Sequence, residues 1–187
     1  LNIFTITQGN GDPMTANTGN RVGDEINVRG IRIKLFIELP VDRSNTHFRI
    51  MLIKGAKGET FDRTTLFKGD SSNKMLDVIN TERFTIVAQK IVTVKNSNST
   101  ASAINLVGVP STPANAGIGT RLVSMWIPGS KFGKYGHVQY ENNSFTQVKF
   151  FDYRLIVLCY DWFGTPQDAN IVGRVNEVMT KMYFKDA

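Results

Sequence analysis

Residues 21–40 read RVGDEINVRGIRIKLFIELP, and this stretch decides the fold. From Ile31 onward, Ile31, Ile33, Leu35, Ile37 and Leu39 share one parity, while Arg32, Lys34, Phe36 and Glu38 take the other. Alternation with period two is the pattern of a half-buried strand. Before Gly30 the apolar residues Val22, Ile26 and Val28 fall on the opposite parity. One extra residue in a strand moves every later side chain to the other face, and glycine tolerates that insertion. The pattern therefore predicts one long strand over 21–39, bent by a bulge at Gly30 and ended by Pro40.

Working outward, period-two runs recur along the chain between clusters of Gly, Pro, Asn and Ser. THFRIMLIKG, residues 46–55, puts Phe48, Ile50 and Leu52 on one face. Residues 83–95 form another clear run, and 121–129 with 134–141 read as a hairpin across GSKFG. Residues 150–162 are the most apolar run and are expected at the centre of a sheet; 176–186 is the last strand. Weaker strands are expected near 2–7 and 104–107. Residues 56–73 read as a connection rich in glycine and charge. One or two helical turns are expected within 71–80, capped by Ser71 or Ser72. Residues 96–120 carry no charge and form a long loop, the kind that serves function or an interface. Six strong strands with long crossings predict an all-β fold. The expected architecture is a jelly-roll β-sandwich of two packed antiparallel sheets, one domain over 1–187 with 1–20 extended.

The chain of 187 residues carries a net charge of +6, and the distribution of that charge is informative. Residues 1–82 hold 11 bases and 10 acids, and residues 141–187 hold 5 bases and 6 acids. Between Glu82 and Glu141 there is no acid, but there are six bases: Arg83, Lys90, Lys95, Arg121, Lys131 and Lys134. Such asymmetry points to a face that meets a polyanion; the alternative is six solvated bases scattered over loops. In KFGKYGHVQY, bases and rings interleave through Lys131, Phe132, Lys134, Tyr135, His137 and Tyr140. Single-stranded nucleic acid is bound by such mixtures, cations for phosphate and rings for bases. Rings in a hairpin can equally serve a core or a subunit contact.

Motifs for catalysis are absent from the sequence. His47 and His137 lie in different strands with no local nucleophile. Cys159, the single cysteine, excludes an internal disulfide framework and sits in LIVLCYDW as a small buried apolar residue. No zinc spacing, P-loop, GxGxxG or GxSxG occurs. Asp24, Glu25 and Asp161 are the acids with the best placement for Ca²⁺, but lone acids near strand ends are ordinarily solvated. A glycoside hydrolase needs two opposed carboxylates, and the acid-free middle third removes most candidates. No enzyme activity, metal or cofactor is expected. No apolar run reaches the ~20 residues of a membrane-spanning helix, so membrane insertion is not expected.

Four stretches carry a family resemblance. Gly19, Asn20, Arg21, Val22 and Gly23 lead into the long strand; Arg83 and Phe84 open RFTIVAQKIVTV. Val138 and Tyr140 close WIPGSKFGKYGHVQYEN, and Met182 to Asp186 spell MYFKD. In this order they resemble the capsid proteins of circular Rep-encoding single-stranded DNA viruses, the circovirus- and geminivirus-like group. The resemblance spans about residues 19–186. It implies a jelly-roll subunit, typically sixty copies to an icosahedral T=1 shell, around circular single-stranded DNA. It further implies a virion protein assembled in the host nucleus, with a host receptor. Members usually begin with an Arg/Lys-rich arm, and no base precedes Arg21, so an arm ahead of this sequence is expected.

Two function classes follow. The first is a self-assembling capsid subunit that binds single-stranded nucleic acid, DNA before RNA, with the 56–73 and 96–120 loops contacting neighbouring copies. Its candidate nucleic-acid residues are Arg29, Arg32, Lys34, Arg83, Lys90, Lys95, Lys131, Lys134 and Tyr135. The second is a jelly-roll binding module, a lectin or spike domain, with Trp126 and Trp162 stacking on sugars.

Overall fold

The parity switch at Gly30 is a β-bulge. In the computed structural model, strand β1 runs unbroken over Glu25–Glu38, and its pairing with the last strand, β9 (Arg174–Asp186), slips by one residue between Val28 and Gly30. Ile26 and Val28 before the slip, and Ile31, Ile33, Leu35 and Ile37 after it, all enter the same core. The structure describes residues 1–4, 6, 21, 23–39, 45–68, 76–95, 119–141, 147–160 and 173–186. Pro40, the expected stop, lies outside them, as do the 96–118 part of the long loop, the weak strand at 104–107, Asp161 and Trp162.

The remaining elements are β2 (Asn45–Ala56), the single helical turn α1 (Arg63–Leu66), β3 (Phe67–Lys68), β4 (Val78–Ile79), β5 (Phe84–Lys95), β6 (Thr120–Pro128), β7 (His137–Gln139) and β8 (Phe151–Tyr160). Sheet I has β1 at its centre, with β6 and β7 on one side and β9 on the other. Sheet II has the order β5-β2-β8. Every pairing is antiparallel. The pairs nest: first strand with last, second with second-to-last, and inside them β2 with β5 and β1 with β6. This is an all-β sandwich wound in the jelly-roll manner. Its core interleaves Ile31, Ile33 and Leu35 of β1 and Val123, Met125 and Ile127 of β6 with Phe48, Ile50 and Leu52 of β2 and Val92 and Val94 of β5.

Several expectations from the sequence are corrected. The segments 121–129 and 134–141 do not form a hairpin with each other. Both lie antiparallel to β1 along one side, β6 against Gly30–Glu38 and β7 against Glu25–Asn27. They are one interrupted strand, and residues 129–136 are an excursion of two 3-10 turns opposite the bulge. The hairpin of this region comes later: Tyr140 bridges Val148, and Glu141 N–H donates to the Gln147 carbonyl. Strand β8 is not central; β2 is, and among the described residues β8 has only residues 1–2 on its far side, where Asn2 bridges Arg154. Of the helical turn expected within 71–80, Leu76 is in 3-10 conformation, and a further helical turn lies at Arg63–Leu66. Asp62 caps it, its carboxylate accepting from Thr65 N–H at 2.7 Å and from the Thr64 hydroxyl at 2.8 Å. Residues 71–75 lie outside the described set, and Val78–Ile79 are strand.

Residues 57–83 contain a flap that the sequence disguised as a polar connection. Phe61, Leu66, Phe67 and Ile79 pack on Met51, Ile53 and Phe84, the side of sheet II turned away from the main core. Strand β2 is therefore buried on both faces, which explains its near-continuous apolar run. Arg49 shares that outer parity and is buried under the flap. Its Nη1 donates to the Asp77 carbonyl at 2.9 Å and its Nη2 to Gln89 Oε1 at 3.3 Å, with the Phe67 ring 5.7 Å away.

Glycines set the excursion. A Cβ on Gly129 or Gly136 would run into the Val28 carbonyl, and Gly136 holds a φ of +81°. Gly136→Ala combines backbone collision with left-handed strain and is expected to cost at least about 2 kcal/mol, read as a lower midpoint in urea.

Burial also pushes up the acidic protons of the core: Tyr153 and Cys159 each to about 12, with Tyr140 and Tyr160 raised by the same cause. In the unfolded chain the thiol ionises near about 8.5 and tyrosine near about 10. Above those values the unfolded state loses protons that the native state keeps, so stability falls as pH rises through roughly 9 to 12. The expected observations are a falling melting temperature over that range, and a Cys159 that thiol reagents label at pH 8 only after unfolding.

Candidate nucleic-acid interface

Sheet II is covered by the flap, while the outer face of sheet I carries no comparable cover among the described residues. The bulge places Arg32, Lys34, Phe36 and Glu38 on that face. Register then sets their neighbours. Arg32 lies between Trp126 of β6 and Lys181 of β9, Lys34 between Ser124 and Met179, and Phe36 between Leu122 and Glu177. Glu38 lies between Thr120 and Arg174 and takes the Arg174 guanidinium at 2.7 Å.

The face is therefore zoned. At the bulge end Arg32, Lys34 and Lys181 stand beside two exposed rings. Trp126 and Tyr183 meet edge-to-face with centroids 5.6 Å apart, and Lys181 Nζ is 5.2 Å from the Tyr183 ring centre. Trp126 and Tyr183 are 52% and 37% exposed, enough to offer a stacking surface. Gly30 makes the ring pair possible: any Cβ there would fall inside the Trp126 indole. No carboxylate pairs with Arg32, Lys34 or Lys181 among the described residues. The middle of the face is apolar through Phe36, Leu122 and Met179, and its far end is neutralised by Glu38 and Arg174. Cations beside exposed rings bind phosphate and base together.

The other sequence candidates separate into distinct places. Arg29 is the bulged residue itself, exposed, beside the excursion that carries Lys131, Lys134 and Tyr135. Tyr135 is 84% exposed and left-handed, with φ 61° and ψ 20°. A non-glycine residue in that region is strained, and such strain concentrates at sites of function. Lys134 Nζ lies 5.6 Å from its ring centre. Lys134 and Tyr135 thus form a second basic and aromatic pair. Lys90 is different: it has inward parity on β5, and its Nζ donates to the Ser124 carbonyl of β6 at 2.9 Å. With Arg121, which donates to the Thr93 carbonyl, it ties the edges of the two sheets. Arg83 sits in the turn before β5 and pairs with Glu59 of the flap. Lys95 ends β5, exposed, opposite Asn45 and apart from the basic face.

Sequence reading missed Lys181 and Tyr183 as members of this cluster. Their signal was the alternation Glu177, Met179, Lys181, Tyr183, which identifies a face of a strand but not the strand beside it.

Two of the quoted stretches touch through Arg21 and Tyr140. Arg21 is fully buried with its guanidinium 4.3 Å from the ring centre of Tyr140, and it holds Asp24 at 3.0 Å. It is a structural brace, not a surface cation. Of the acids considered for calcium, Asp24 thus bonds to Arg21, and Glu25 faces His137 at 3.2 Å. No family model matches this chain, and no curated protein matches it.

Proposed function

We propose that this chain is a coat subunit that assembles with copies of itself into a closed shell around single-stranded nucleic acid. The observation that carries the reading is the face of sheet I that no described residue covers, where Arg32, Lys34 and Lys181 flank the Trp126–Tyr183 pair. A jelly-roll sandwich supplies a rigid wall, and the net charge of +6 suits a polyanion. The resemblance of four motifs to the capsid proteins of circular single-stranded DNA viruses supports the same reading. It makes the cargo DNA, the shell icosahedral with sixty copies, and the site of assembly the host nucleus. Phosphate and stacking contacts serve DNA and RNA alike.

One observation favours a second reading. Exposed Trp126 and Tyr183 would also stack on a sugar ring, as in a lectin or spike domain. Negative-stain electron microscopy of the purified chain, with the 260/280 nm absorbance ratio of the same fraction, separates the two. Uniform spherical particles with a raised ratio are the expected result. A chain that stays monomeric or trimeric across pH, salt and added DNA, and binds glycans on an array, would overturn the shell.

A further inference from the structure

Strand β9 is the outer strand of sheet I, and among the described residues its second edge pairs with no strand. It is 13 residues long. Monomeric proteins blunt such edges with short strands, bulges or covering segments, because an open edge is a template for another chain. This one exposes Val178, Met179 and Tyr183.

The order of side chains along β9 is self-complementary. In an antiparallel pair related by a two-fold axis, residues equally spaced on either side of the axis face each other, and facing residues share a side of the sheet. With the axis at Met179, Met179 faces itself and Glu177 of each copy faces Lys181 of the other. All three stand on the outer face, and Glu177 has no ion-pair partner among the described residues. Moving the axis to Glu177 or Lys181 sets like charges opposite each other, which is destabilising. At Val178 no direct ion pair forms, and at Thr180 the facing opposite charges are Arg174 and Asp186, of which Arg174 is already held by Glu38 and lies beyond the register slip. The regular part of β9, from Glu177 onward, holds the centre of this pairing; the register slip toward Val175 bounds it.

We infer that β9 is a docking edge for a second copy of this chain, paired antiparallel about a two-fold axis through Met179. The two copies of sheet I then join into one sheet, and the Arg32, Lys34 and Lys181 clusters lie on a single continuous face. The pairing does not depend on a shell, because a dimeric binding protein would use the same edge.

The test is cross-linking of the full chain. Facing Cα atoms in an antiparallel pair are about 4.5–5.5 Å apart, inside disulfide range. The Lys181 positions of the two copies are about 14 Å apart in this register. Under mild oxidant Met179→Cys is expected to form dimer at least about tenfold faster than Lys181→Cys, while the parent chain, with Cys159 alone, forms none. Glu177→Lys is expected to raise the dimer dissociation constant at least about tenfold, and Glu177→Lys/Lys181→Glu to restore it. Equal cross-linking at the two positions, an inert Glu177→Lys, or a double variant that stays dissociated would each overturn the pairing. Particles without the Met179→Cys cross-link would overturn the edge pairing and leave the shell. Cross-linked dimers that never form particles would support the pairing and overturn the shell.

Discussion

Replacing Arg32, Lys34 and Lys181 together by glutamine is expected to reduce affinity for a single-stranded oligonucleotide by about a hundredfold or more at low salt. The three cations occupy adjacent positions across β1 and β9. Each phosphate neutralised on a single strand contributes about 0.7 to the slope of log affinity against log salt, so the slope should fall by about 2. A second triple variant removes the same net charge elsewhere: Lys57→Gln, Lys68→Gln and Arg83→Gln. Those cations already face Glu141, Glu82 and Glu59, and their loss should weaken binding less than about threefold. Fluorescence anisotropy across a salt series reads both. Equal weakening by the two triples would mean that net charge, not this face, holds the strand. Trp126→Ala tests the ring separately, with an expected loss of about 1–3 kcal/mol per stacked base.

Phe84→Ala should unfasten the flap. Phe84 is 2% exposed, its ring lies 5.2 Å from that of Phe61, and it fills the space above Gly55. Emptying that site costs about 3–5 kcal/mol, a large part of the roughly 5–15 kcal/mol that holds a domain folded. The flap carries the Asp77 carbonyl that accepts from Arg49, so loosening it also bares a charged side chain meant to be buried. The expected observations are a much lower urea midpoint and early protease cleavage between Lys57 and Arg83. A loss under about 1 kcal/mol, with cleavage unchanged, would show that sheet II stands without its cover.

Local alternation carried most of the strand content. The run after Gly30 could only be a strand with one wet face, and the switch of parity at Gly30 could only be an inserted residue. Both readings depend on neighbours in sequence, so they survive into the structure unchanged. The flap was less legible because its apolar residues, Phe61, Leu66, Phe67 and Ile79, are spread among charges and turns with no period. The false hairpin at 121–141 has a similar cause. Two strands joined by a glycine-rich turn look alike whether they fold back on each other or continue along a third strand, and the decision rests with β1, about a hundred residues earlier.

The sequence by itself determined the class of fold, the long strands, the bulge, the alternating faces of β1 and β2 and the basic bias of the middle third. Tertiary structure alone decided which strands are neighbours. Arg32, Lys34, Trp126, Lys181 and Tyr183 come from three strands separated by up to about 150 residues, and nothing in any one of them names the others. Alternation is a local property of the pleat, whereas pairing and register come from many contacts between distant segments that must satisfy one core at once. That selection also set the exposed Lys90 and Arg121 against backbone carbonyls of the opposite sheet, where they tie the two sheets. It also brought Lys181 beside Arg32.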